Sequence, residues 1–129
     1  MKLLSSVLSV GALFASSHVY AACVYPKAPE KIPDGATATK EEMMAAQKLV
    51  KAYNDDIKAY TDCLKAESDD ALKADAKKPE KERMTKQQRE ELEKVNVQKN
   101  NAAIDEAQAV TDRFNEQIRA FNAKGKPKS

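Results

Sequence analysis

The chain has 129 residues, with 22 Lys and Arg against 20 Asp and Glu, which gives a formal net charge of +2. This near balance disfavours a protein that binds nucleic acid through a basic surface, and the length is that of one domain. Only 5% of the residues are aromatic and three are glycine, so neither a β-sandwich nor a glycine-rich phosphate loop is predicted. These counts exclude classes of protein without identifying a function.

The beginning of the chain predicts a signal peptide over residues 1–21. Lys2 precedes an apolar run at 3–15, which has the length of a signal-peptide core and is shorter than the about 20 residues of a membrane-spanning helix. The small residues that follow favour cleavage after Ala21 or Ala22. We therefore expect an exported product, periplasmic or secreted, with no membrane span.

Histidine is absent from the predicted exported chain, because His18, the single histidine, lies in the signal peptide. Ser-His-Asp and Cys-His nucleophilic sites need an imidazole base. Acidic groups such as Glu90 and Glu91 lie in predicted helices, where carboxylates usually face solvent. We therefore predict no enzyme activity, no catalytic residue, no cofactor and no metal.

Cys23 and Cys63 are the two cysteines of the chain. An even number of cysteines in an exported chain is typical of a disulfide, and two cysteines allow one pairing. Two alternatives stay open. The run from Tyr20 to Cys23 is similar to a bacterial lipobox, which would make the protein a lipid-anchored envelope tether. Two cysteines with carboxylates would make it a small metal-binding protein.

Residues 22–39 predict an extended, Pro-rich arm. Pro26, Pro29 and Pro33 each fix φ and remove a backbone donor, which favours extended or polyproline II backbone. Asp34 and Gly35 then follow Pro33 in a combination that is typical of a turn.

Two capping boxes predict where helices begin, one at Thr39 and one at Thr85. The first helix is predicted over about 40–78 and the second over about 85–123. The turn at 79–84 contains a proline, which ends a helix. Whether the first helix continues through Ser68–Asp70 stays open at this point, and residues 124–129 predict a basic, disordered tail.

Apolar residues recur every three or four positions along both predicted helices, which is typical of a coiled-coil-like seam. The seam residues of the first helix are Met43, Val50, Tyr53, Ile57, Tyr60 and Leu64. Those of the second helix are Ile104, Ala107, Phe114, Ile118 and Phe121. Seam positions equidistant from residue 82 match, which predicts an all-α fold: an antiparallel two-helix hairpin, with the arm stapled to it by the disulfide.

The first half of the predicted exported chain resembles a group of small exported bacterial proteins that have no known activity. The resemblance rests on Cys23-Val24-Tyr25-Pro26, on the run from Pro33 to Met43, and on Tyr60-Thr61-Asp62-Cys63-Leu64. The resemblance implies export and a cysteine pair, and it does not point to any particular activity.

A narrow apolar seam on long helices predicts a non-enzymatic interaction or structural protein of the bacterial envelope. Such a thin core favours association through the seam, with a protein partner or with a second copy in a four-helix bundle. We predict no nucleic-acid partner. The lysine-rich stretch around the turn, such as Lys77 and Lys78, favours weak contact with an anionic envelope surface.

Overall fold

The computed structural model describes residues 22–125, so the predicted signal peptide and the last four residues of the predicted tail lie outside the described residues. The order of elements is α1 (Lys40–Ala76), a short 3₁₀ helix (Glu80–Glu82) and α2 (Lys86–Lys124). Residues 22–125 contain no strand, and α1 packs against α2. The fold of this part of the chain is therefore all-α.

Both helices begin at the predicted capping boxes. The Thr39 backbone N–H donates to Glu42 Oε2 at 2.7 Å, and the Glu42 N–H donates to Thr39 Oγ1 at 3.2 Å. Thr85 and Gln88 exchange the same pair of hydrogen bonds at 2.8 and 3.2 Å. These bonds satisfy backbone donors that the first turn of a helix leaves without partners.

α1 continues through Ser68–Asp70 and ends at Ala76, two residues before the predicted end at 78. The earlier end has a local cause, because Pro79 disfavours helical backbone at the residue that precedes it. Lys–Asp pairs four residues apart line the exposed side of α1, for example Lys58–Asp62 at 2.6 Å. Exposed pairs of this kind contribute little, because solvent screens the two charges, so the packed face supplies most of the stability of the helix.

The core draws on three segments of the chain: residues 22–39, which we call the N-terminal segment, α1 and α2. Its buried members are Ala38, Met43, Ala46, Val50, Tyr53, Ile57, Ala103, Val110 and Phe114. Ala28 and Ile32 of the N-terminal segment pack against this cluster. The N-terminal segment therefore belongs to the folded unit, because it covers apolar surface that two helices alone would leave in water.

Asp75 is the one buried charged side chain among residues 22–125, with 4% of its surface exposed. Its Oδ1 accepts the Met84 backbone N–H at 2.8 Å, and its carboxylate lies 3.8 Å from both Lys78 Nζ and Arg89 Nη1. Arg89 also donates to the Met84 carbonyl oxygen at 2.8 Å. This network links the end of α1 to the start of α2 and fixes the intervening turn.

Neither described helix contains an apolar stretch long enough to cross a bilayer.

Candidate functional site

The predicted disulfide is confirmed: Cys23 of the N-terminal segment is bonded to Cys63 of α1, with 5.8 Å between their Cα atoms. This separation is within the ordinary range for disulfides. The bond occupies the Cys23 sulfur, which is the atom that a lipid anchor would need. The disulfide is the centre of the candidate site.

Glu67 lies beside the disulfide. Its Oε1 accepts the Cys23 backbone N–H at 3.2 Å, and it follows Cys63 by four residues, which places both side chains on one face of α1. The two sulfurs and a Glu67 carboxylate oxygen lie within 4.8 Å of one another, the one group of this kind within residues 22–125. Sequence reasoning missed Glu67, although its spacing from Cys63 was a usable signal.

Tyr25 connects the N-terminal segment to both helices. Its hydroxyl donates to Glu106 Oε2 of α2 at 2.6 Å. Its ring meets the ring of Tyr60 on α1 edge to face, with 5.0 Å between the ring centroids and 71° between the planes. Such aromatic pairs contribute about 0.5–1.5 kcal/mol beyond the area that they bury. No local pattern in the sequence pairs Tyr25 with Glu106, which is 81 residues away.

Tyr53 lies beneath this contact, with only 3% of its surface exposed. Its hydroxyl is buried without a hydrogen-bond partner among the described residues. Burial raises the pKa of Tyr53 above the ordinary value of 10.0. Burial also raises the pKa of Tyr25, as does its hydrogen bond to Glu106, since a neighbouring carboxylate disfavours a second negative charge.

The Tyr25 hydroxyl is expected to make stability depend on pH at the alkaline end. Its pKa is higher in the folded than in the unfolded protein, so the folded state holds the proton more tightly. Its contribution is therefore complete below about pH 10, the ordinary value, and is lost as the pH rises beyond it. Urea titrations of the wild-type chain should show a falling midpoint above about pH 10, and Tyr25→Phe should show a smaller fall.

Tyr60→Phe is the matched control for this experiment, because it keeps a ring beside Tyr25 and leaves the Tyr25–Glu106 hydrogen bond in place. It should retain the alkaline fall of the wild-type chain. Equal pH dependence in Tyr25→Phe and in the wild-type chain would contradict the assignment to Tyr25.

Most of the predicted seam residues lie between the packed elements. Those that are buried are Met43, Val50, Tyr53, Ile57, Leu64 and Phe114. Those that are partly buried are Tyr60, Ala107, Ile118 and Phe121. The seam of α2 also contains Ala103, with 0% of its surface exposed, and Val110, with 1% exposed, neither of which was predicted.

Ile104 departs from the predicted seam, because 51% of its surface is exposed. The reason is the period of the helix. An α-helix turns by about 100° per residue, so Ile104 points about 80° away from the direction of Phe114, whereas Ala103 points only about 20° away. A seam extended at 3.5 residues per turn drifts from the true contact line over this distance. Ala103 therefore takes the inner position and Ile104 faces outward.

Comparison with known proteins adds no relative to this description: no protein-family model, curated protein or solved structure matches the chain.

Proposed function

We propose that this chain is a non-enzymatic helical interaction or structural protein of the bacterial envelope, exported by a signal peptide over residues 1–21. The observation that carries the proposal is a pair of long helices, of 37 and 39 residues, with large apolar side chains left exposed on them. The disulfide supports an oxidising location, because such bonds persist in secreted and periplasmic proteins.

We infer that α1 and α2 run antiparallel as a hairpin. Asn54 Nδ2 donates to Thr111 Oγ1 at 3.1 Å, and these two residues are equidistant from the turn within one position. Asp75 near the end of α1 bonds to the Met84 N–H just before α2. Both contacts support a chain reversal near residue 82, as the matching seams predict.

We infer further that the N-terminal segment runs as an extended arm beside α1, in the opposite direction. Its ends support this path: Cys23 is bonded to Cys63, about two-thirds of the way along α1, and Thr39 caps the start of the same helix. The 23 residues from Lys40 to Cys63 rise by about 35 Å along a helix. The N-terminal segment, when extended, is long enough to span this distance.

The surface available for interaction lies towards the turn, since the predicted seam is largely occupied within the chain. Val97 and Ile104 of α2 have 50% and 51% of their surfaces exposed, and their spacing of seven residues places them on one face. A groove of about 250 Å³ beside Val97 is lined by Leu64, Lys65, Asp69 and Glu93 among others; we call it the distal groove. Exposed apolar residues at heptad spacing are typical of a helix–helix interface.

We propose a second copy of this chain as the occupant of the distal groove. A two-fold interface sets one patch against itself, so a charged patch is complementary to itself only if it carries both signs of charge. The rim of the groove meets this condition with Lys65 beside Asp69 and Glu93. Within one chain Lys65 Nζ lies 2.7 Å from Asp69 Oδ2. Across a two-fold axis the partner's Lys65 would also face Glu93, and the two Val97 side chains would bury each other. The result is a four-helix bundle.

Sedimentation velocity over micromolar concentrations tests this assembly. The wild-type chain should sediment as a dimer, and Val97→Glu and Ile104→Glu should each shift it to monomer, because a buried charge without a partner opposes association. Leu49→Glu is the matched control: Leu49 is also exposed, at 56%, but lies nearer the start of α1, and its variant should remain a dimer. A compact monomer at every concentration would contradict the proposal.

A further inference from the structure

The group formed by Cys23, Cys63 and Glu67 places a carboxylate beside the two sulfurs of the disulfide. We propose that, once the Cys23–Cys63 disulfide is reduced, these three side chains bind one thiophilic divalent cation of the Zn²⁺ class. Two thiolates and a carboxylate are ligands that such a cation accepts. This proposal does not depend on the proposed dimer, since the group lies on the N-terminal segment and α1 and uses no residue of the distal groove.

The distances require little rearrangement. The Cα atoms of Cys23 and Cys63 are 5.8 Å apart, and zinc–sulfur bonds of about 2.3 Å at a tetrahedral angle place two sulfurs about 3.8 Å apart. Rotation of the two side chains supplies that separation. A Glu67 oxygen lies within 4.8 Å of both sulfurs, so a shift of about 1 Å brings it to tetrahedral spacing.

The three ligands stay near one another without the disulfide. Cys63 and Glu67 are fixed on one face of α1. The Cys23 backbone N–H donates to Glu67, and two residues further on Tyr25 contacts Tyr60 and Glu106. These contacts hold the Cys23 thiol beside α1 after reduction, which lowers the entropy cost of forming the site.

The chemistry balances in two steps. A small dithiol gives two electrons and two protons to the disulfide, becomes a disulfide itself, and leaves two thiols on the chain. The cation then displaces both thiol protons to solvent and forms two metal–sulfur bonds, while the Glu67 carboxylate supplies one oxygen. Water fills the fourth position, as in zinc sites with three protein ligands. The cation thereby replaces the covalent cross-link with a coordinate one.

Titration of the reduced, purified chain with Cd²⁺ or Co²⁺ tests the site, because both cations give a thiolate-to-metal charge-transfer absorption. The absorption should saturate at one cation per chain with release of two protons, and the oxidised chain should give none. Glu67→Gln should weaken binding by about tenfold or more. That variant keeps an oxygen to accept the Cys23 N–H, so we expect it to fold, which circular dichroism of the reduced chain verifies.

Asp62→Asn is the matched control, since it removes the carboxylate next to Cys63 on the outer face of α1, and its affinity should equal that of the wild-type chain. Cys63→Ser should abolish the charge-transfer absorption at one equivalent. The proposal is overturned if the reduced wild-type chain shows no saturable absorption, or if Glu67→Gln and Asp62→Asn bind the cation equally.

Discussion

Replacement of Gly35 by alanine should destabilise the folded chain by about 3 kcal/mol, the upper part of the range for an overpacked site. A Cβ atom at this position would lie 1.8 Å from the Gln117 carbonyl oxygen and 2.9 Å from the Phe121 nitrogen. Both atoms belong to the backbone of α2, so a side-chain rotation cannot relieve the clash. The N-terminal segment must move off α2, and the Gly35 N–H then loses its 2.9 Å bond to Gln117 Oε1.

Gly125→Ala is the matched control, because a Cβ atom there meets nothing within 4 Å. Its free energy of unfolding should stay within about 0.5 kcal/mol of the wild-type value. Gln117→Ala removes the hydrogen bond and leaves the backbone that causes the clash in place. Alone it should lower the free energy of unfolding by about 1 kcal/mol, and combined with Gly35→Ala it should restore none of the stability lost in Gly35→Ala. Urea denaturation measures the stability of the wild-type chain and of these four variants, and equal stability of the two single glycine variants would contradict this account of Gly35.

Local patterns predicted the parts of the fold that depend on neighbours in sequence. The capping boxes at Thr39 and Thr85 set the starts of both helices, because the donor and acceptor of each bond are three residues apart. Pro79 ended α1 for a similarly local reason. The disulfide followed from counting, since Cys23 and Cys63 had no other cysteine with which to pair.

The sequence contains no local pattern that predicts contacts between residues far apart in the chain. The sequence marked Gly35 as a turn residue, and its close approach to Gln117 depends on where α2 lies, 82 residues away. Asp75 resembles the other helical acids of α1 until the turn folds over it and the Met84 N–H reaches its carboxylate. Ile104 was placed in the seam because a heptad pattern assumes 3.5 residues per turn, whereas a straight α-helix has 3.6.

The candidate site shows the same division. Cys23 and Cys63 were predicted, and Glu67 could have been noticed from its spacing of four residues after Cys63, whereas Glu106 gained its role only from the path of the N-terminal segment. That segment sets Cys23 against Glu67 and Tyr25 against Glu106. The attachment of the N-terminal segment to α1 therefore determines which side chains meet at the site, and the disulfide is the strongest contact in that attachment.

Cys63→Ser should lower the free energy of unfolding by about 4 kcal/mol, because the disulfide closes a loop across a sequence separation of 40 residues and so restricts the unfolded chain. For a chain of this size, the melting temperature should fall by at least about 15 °C. Calorimetry of the oxidised wild-type chain and of Cys63→Ser checks this result. An unchanged melting temperature would contradict a stabilising role for the disulfide.

A comparison of several cysteine variants, more than the size of the stability loss in one of them, identifies loss of the cross-link as the cause of that stability loss. Cys23→Ser and Cys63→Ser each open the same bond, so the double variant should be no less stable than either single one. A reductant should bring the wild-type chain to the same stability and leave the stability of the variants unchanged.

Because the disulfide acts mainly on the unfolded state, the Gly35 amide should stay protected from hydrogen exchange in folded Cys63→Ser, through its bond to Gln117. Loss of that protection at temperatures well below melting would instead show that the disulfide holds the N-terminal segment in place in the folded protein.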